Sequence, residues 1–207
     1  MRRPDLRISR LPVLLLAVGA LLLGACADDG ELGGPTFGGS LAASVGSFEY
    51  TSAELEGEVE EWAVNPNFMT QVLGIADIGR DGRRSADVVS FVLSHRVLTE
   101  QSRQLAEDTG YEPSQEEVDA LVSQIDQAFV DPSTGGALFQ VYDEDFRQRL
   151  GRDFAYQQNL QTVDATGSEV PAVDVNPRYG SFENQDRGIG RVNPPVGPLP
   201  QPAPSGS

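Results

Sequence analysis

The chain has 207 residues, with 31 acidic against 15 basic side chains, a net charge of −16 at neutral pH and one cysteine. So acidic a chain is excluded as a nucleic-acid binder, because phosphate neutralisation needs basic side chains. One cysteine likewise excludes an intramolecular disulfide, and all 15 basic residues are arginine.

Arginines at positions 2, 3, 7 and 10 precede an apolar run from Leu11 to Ala25. A positive segment, a short apolar core and small residues at its end make a secretory signal. The run is too short and wrongly flanked for a spanning helix. Its ending, Leu23-Gly24-Ala25-Cys26, resembles the lipobox of bacterial lipoproteins. That resemblance implies cleavage before Cys26 and a diacylglycerol on its thiol. It also implies a lipid-anchored place in the cell envelope, on the extracytoplasmic face of a bacterial membrane. Cleavage takes four arginines and one aspartate with it, so 31 acidic and 15 basic residues become 30 and 11, a net charge of −19. Such a chain is repelled by anionic head groups, so attachment rests on acyl chains, at about 0.8 kcal/mol per buried methylene, rather than on a polybasic patch.

The organisation expected is a signal over 1–25, a lipidated cysteine and flexible Gly-rich tether over 26–40, a folded domain over 41–182 and a disordered Pro/Gly-rich tail over 183–207. Leu41 to Tyr50 reads as a short strand or hairpin turning at Gly46-Ser47. Thr51 and Glu54 make a capping box. The helix behind it carries Leu55, Val59 and Trp62 on one face, and its five glutamates read as a solvated surface. Pro66, after Asn65, starts a short helix through about Ile78. Asp77 to Arg84 reads as a loop.

Ser85 caps a long helix with an apolar stripe through Val88, Phe91, Val92, His95, Val97, Leu98, Gln101, Leu105 and Ala106, closed by a left-handed Gly110. At about 35 Å it is longer than a small domain requires, and it reads as a spacer between apolar surfaces. Ser114 and Glu117 make a second capping box, ahead of Val118, Leu121, Val122, Ile125 and Phe129 on one face. Asp131 to Gly136 is a loop. Asp143 caps a last helix to about Thr162, in which Gly151 costs about 1 kcal/mol relative to alanine. Val173 to Val175 begins a closing edge strand. Proline-rich disorder is expected from Val192 onward. The fold class is therefore mainly α: about five helices, with a small β pairing of the N- and C-terminal segments.

The order of these elements resembles the N-terminal chaperone module of the SurA family, shared with PrsA-type foldases and trigger factor. The residues that carry the likeness are Thr51-Ser52-Ala53-Glu54-Leu55, Val92 to Val97, Gly110 to Leu121 and Val173 to Gly180, within a span of about 45 to 182. Catalytic relatives add a parvulin isomerase domain. Only about ten residues separate the last helix from the closing strand here, and a domain needs at least ~50, so the resemblance does not extend to isomerase activity. It implies a chaperone-like role, with apolar helical surfaces that hold unfolded or exported polypeptides as partners.

Phe68, Met69, Val72, Phe139 and Tyr142 are the candidate client contacts, because they are less periodic than the remaining apolar residues and are not all needed for one core. The alternative is a structural adaptor that docks one fixed envelope partner. No enzyme constellation is legible. The sole histidine, His95, reads as a core or groove residue. One histidine cannot make a two-histidine zinc site, and no nucleophile elbow occurs. Asp77, Asp81 and Gly82 only weakly imitate a calcium loop. No cofactor and no metal is expected.

Overall fold

The computed structural model describes residues 41–73, 79–80, 83–162, 169–184 and 190–194. The expected signal, lipobox and tether lie outside these residues, as do Gly74 to Ile78, Asp81, Gly82, residues 163–168 and everything from residue 195.

The fold is mainly α, with five α-helices and small antiparallel sheets among the described residues. β1 (Leu41–Val45) and β2 (Phe48–Thr51) form a hairpin that pairs Val45 with Phe48 around Gly46-Ser47. Gly46 takes φ 56° there, a left-handed value that suits glycine. β5 (Val173–Val175) pairs antiparallel with the other side of β1, giving the order β2-β1-β5. The closing strand therefore pairs with the first strand, as expected. Asn176 fixes the join: its backbone N–H donates to Ala42 O and its Nδ2 to Leu41 O.

α1 (Ser52–Trp62) starts at the Thr51–Glu54 capping box and buries Leu55, Val59 and Trp62. α2 (Pro66–Leu73) is capped by Asn65, whose Oδ1 accepts from the N–H groups of Asn67 and Phe68. Where a plain loop was expected, Gly79–Arg80 (β3) and Arg83–Arg84 (β4) pair as a minimal antiparallel ladder.

α3 (Ala86–Thr109) begins where Ser85 Oγ accepts from Val88 N and ends at Gly110, φ 69°. The helix is central rather than a spacer. It packs against α1, β1, the last helix and the C-terminal hairpin. Its buried set accordingly exceeds one stripe, adding Ser90, Leu93, Thr99, Glu100 and Ser102, while Phe91 and Leu98 are only half-buried.

α4 (Gln115–Ala128) starts at the Ser114–Glu117 capping box and buries Val118, Leu121, Val122 and Ile125. The Asp131–Gly136 loop is closed by a bridge between Val130 and Ala137. A 3-10 turn, Leu138–Val141, leads to α5 (Glu144–Thr162), where Asp143 Oδ1 accepts from Phe146 N at 2.8 Å. Gly151 has a reason to be glycine. A Cβ there would stand 2.9 Å from Val122 Cγ2 and 3.0 Å from the Val118 carbonyl oxygen, so α4 and α5 cross backbone to backbone at this point.

The domain does not stop at residue 182. β6 (Ser181–Asn184) and β7 (Gly190–Asn193) form a second hairpin that starts in the expected closing segment and runs on into the residues expected to be a disordered tail. Val192 is buried, and its backbone is held by two serines of α3. Its N–H donates to Ser94 Oγ at 2.9 Å, and its carbonyl accepts from Ser90 Oγ and Ser94 Oγ. Glycine permits the close strand contact: a Cβ on Gly180 would lie 1.9 Å from Asn193 O.

Candidate functional site

The residues expected to contact clients are brought together, but inside the core. Phe68 is 1% exposed, Met69 and Phe139 0% and Tyr142 5%. Val72 is half-buried against the same cluster. The expectation that one core would not need them all is corrected by the 3-10 turn and α2, which fold over the end of α1 and seal it. Trp62 in the last turn of α1 meets Phe68 at 6.4 Å, Phe91 at 5.1 Å and Phe146 at 5.5 Å between ring centroids. Phe68 in turn meets Phe129 at 5.1 Å, Phe139 at 5.4 Å and Tyr142 at 5.3 Å. Edge-to-face and offset contacts of this kind add about 0.5–1.5 kcal/mol per pair beyond area burial.

Two polar bonds lock the same region. Tyr142 Oη donates to Trp62 O at 2.6 Å, and burial holds its phenol well above the usual tyrosine range. Asn65 Nδ2 donates to Leu138 O at 2.7 Å, which ties the α1–α2 junction to the 3-10 turn. The arginines of α5 cover the flank. Arg147 stacks on Phe139 at 5.6 Å and Arg149 on Phe146 at 5.2 Å, while Arg147 pairs with Asp126 and Arg149 with Glu61.

Around this sealed cluster lie the large apolar side chains that remain exposed among the described residues: Val64, Val130 and Val141, at 56%, 37% and 61%. All three border α2. Val64 is two residues before it. Val130 O accepts from Gln71 Nε2 of α2 at 3.2 Å. Val141 belongs to the 3-10 turn on which α2 packs.

His95 lies a helical turn beyond Phe91, buried against the rings of Trp62 and Phe154. Its Nε2 is 3.2 Å from Asp153 Oδ2 and its Nδ1 is 3.3 Å from Gln157 Nε2. Gln157 Nε2 also donates to Thr99 Oγ1 at 2.8 Å. With the Gln157 amide nitrogen facing it, Nδ1 is placed to accept, and Nε2 is placed to donate a hydrogen bond to Asp153 Oδ2. Both ring nitrogens thus serve the clasp between α3 and α5. Sequence reasoning placed His95 in a core or groove but missed Asp153 and Thr99, whose polar side chains gave no signal of burial.

The acids of the two capping boxes have local partners. Thr51 and Ser114 hold the capping carboxyls of Glu54 and Glu117 below the usual carboxylate range through backbone and hydroxyl hydrogen bonds. Among the described residues no group of three or more His, Cys, Asp or Glu side chains is placed to hold a metal ion, and no helix is long and apolar enough to cross a membrane. Cys26, with its flank Leu23, Gly24 and Ala25, lies outside the described residues. These features define a mainly α domain closed by an aromatic cluster. No family model, curated protein or solved structure matches the chain.

Proposed function

We propose that the chain is a lipid-anchored envelope protein that binds unfolded or exported polypeptides without catalysis, in the manner of a chaperone. The anchor is Cys26 and the working surface is the apolar region around α2. The observation that carries this reading is the grouping of Val64, Val130 and Val141 beside the aromatic cluster, on a domain whose remaining surface is strongly acidic. Scattered exposed apolar residues are ordinary, whereas their concentration around one element marks a contact surface. The test is aggregation of a chemically unfolded protein in the presence of the full chain. Suppression at near-stoichiometric amounts, weakened by a Val64→Asp/Val141→Asp double change, is expected. Undiminished aggregation sinks the reading.

Burial of Phe68, Met69, Phe139 and Tyr142 favours a second reading, the structural adaptor. A closed core presents a fixed surface, which suits one partner better than many. Under that reading the same two aspartates abolish binding to one defined envelope protein, while unfolded proteins aggregate freely with or without the chain.

A further inference from the structure

We infer that α2 is a built-in plug: it occupies, as a peptide would, an apolar groove between the 3-10 turn and the ends of α1 and α4, and a polypeptide segment carrying an aromatic residue next to methionine or leucine displaces it. This deepens the polypeptide-binding reading and rests on it.

The groove is defined by what α2 puts into it. Phe68 and Met69, adjacent in the first half of the helix, are essentially unexposed. The surface that receives Phe68 is almost wholly aromatic, with Trp62, Phe129, Phe139 and Tyr142. The exposed valines Val64, Val130 and Val141 lie next in sequence or by hydrogen bond to the elements that meet α2: Val64 precedes it by two residues, Val130 O accepts from Gln71, and Val141 ends the 3-10 turn. The occupant chemistry is therefore on display in the sequence Pro-Asn-Phe-Met-Thr-Gln-Val-Leu of α2 itself.

The helix is also the shortest α-helix among the described residues and the least packed. It has eight residues, well below the length at which a helix persists without tertiary support. Its apolar anchors are Phe68 and Met69, with Val72 half-buried beside them. Its described polar ties to the rest of the domain are Gln71 to Val130 O and, from the capping residue before it, Asn65 to Leu138 O. By contrast α3, with 24 residues, is packed on several sides. Local opening draws on the elements with fewest such contacts. An incoming Phe-Met pair restores the ring contacts that Phe68 and Met69 give up. Because the tethered helix competes with the incoming segment, the apparent affinity is reduced by the fraction of molecules that are closed. Gln71 sets that fraction in part, and its side chain is exposed, so it can be changed without touching the core.

The test uses the full chain in detergent micelles, with a labelled synthetic peptide copying residues 64–73 as probe. Saturable binding is expected, lost when the phenylalanine of the peptide is replaced by aspartate. Gln71→Ala in the protein should tighten binding about two- to fivefold, the worth of one tether. Hydrogen exchange gives an independent readout: amides of Met69 to Val72 should exchange faster than those of Val92 to Val97, and faster still in Gln71→Ala. Exchange of α2 only together with α3, or probe binding indifferent to Gln71→Ala, overturns the plug. If the plug fails while unfolded proteins are still kept from aggregating, the polypeptide-binding reading stands without it. If the peptide binds and α2 opens while unfolded proteins aggregate freely, the groove exists and the chaperone-like reading falls instead.

Discussion

His95 Nε2 and Asp153 Oδ2 stand 3.2 Å apart and join α3 to α5 through the middle of the core. Side chains on both sides of the pair are buried, the histidine at 5% and the aspartate at 10% exposure. Arg149 lies one turn before Asp153 on α5, interacts with it electrostatically and is itself paired with Glu61 of α1. The carboxylate therefore depends on one buried N–H donor, and the imidazole depends on Asp153 and Gln157 for its orientation.

Removing Asp153 from this clasp leaves the buried Nε2 of His95 without its described partner. Asp153→Ala is expected to cost about 2–3 kcal/mol of unfolding free energy, read from a denaturant titration. Asp153→Asn keeps an oxygen acceptor of the same shape and should lose less than half as much. Equal losses for the two changes would mean that packing, and not the hydrogen bond from His95, decides the stability at this position.

Acidification should act through the helix caps. The Glu54 and Glu117 carboxyls are held below their ordinary range by hydrogen bonds from Thr51 and Ser114, that is, in the folded state only. A depressed folded-state value contributes stability that is fully present above the unfolded value of about 4.3 and is lost as pH falls through the lower folded value. Stability should therefore slope downward from about pH 5 toward pH 3. Glutamine at both positions can still close a capping box but does not titrate there. Glu54→Gln/Glu117→Gln should flatten that slope in denaturant titrations at stepped pH, and an unchanged slope would place the acid sensitivity elsewhere.

The C-terminal hairpin should behave as part of the domain. A chain ended after Phe182, where the sequence pattern suggests that folding stops, lacks β7 and leaves Ser90 and Ser94 without the Val192 backbone they bind. It also uncovers the flank of α3 where Val192 packs. A fall in the thermal midpoint of several degrees is expected relative to the full chain, since each kcal/mol lost shifts the midpoint by about 2–4 °C in a domain of this size. An unchanged midpoint would show that the hairpin only rests on α3.

What was legible in the sequence was local, and what was not depended on partners far along the chain. The Thr51–Glu54 and Ser114–Glu117 boxes, the Ser85 cap and the Gly110 terminus are written within four residues each, and the structure places all of them as read. The β6–β7 hairpin was hidden because prolines and glycines dominate its neighbourhood, and its fixing contacts lie about a hundred residues away on Ser90 and Ser94. The burial of α3 beyond one stripe was hidden because Ser90 and Thr99 are polar, and the groups that satisfy them lie far along the chain. Phe68, Met69, Phe139 and Tyr142 read in the sequence as surplus to one core and open to clients, whereas the structure buries them in a single cluster. Periodicity alone could not say that they would close on one another rather than face solvent.

Two helical glycines make opposite predictions under the same substitution. Gly57, in α1, has nothing within 4 Å of the position its Cβ would take. Gly57→Ala should therefore simply recover helix propensity and stabilise the protein by about 0.5–1 kcal/mol. Gly151, in α5, would gain the same propensity term, but its Cβ meets Val122 Cγ2 at 2.9 Å, Val118 O at 3.0 Å and Val118 Cγ1 at 3.1 Å. The valine methyls can shift by small rotations, whereas the carbonyl oxygen belongs to the α4 backbone and moves only with that helix. Overpacking at about 1–3 kcal/mol outweighs the propensity gain, so Gly151→Ala should be net destabilising by denaturant titration. Stabilisation by both alanines would show that α4 and α5 can separate freely, and their close crossing would then not be a fixed feature of the fold.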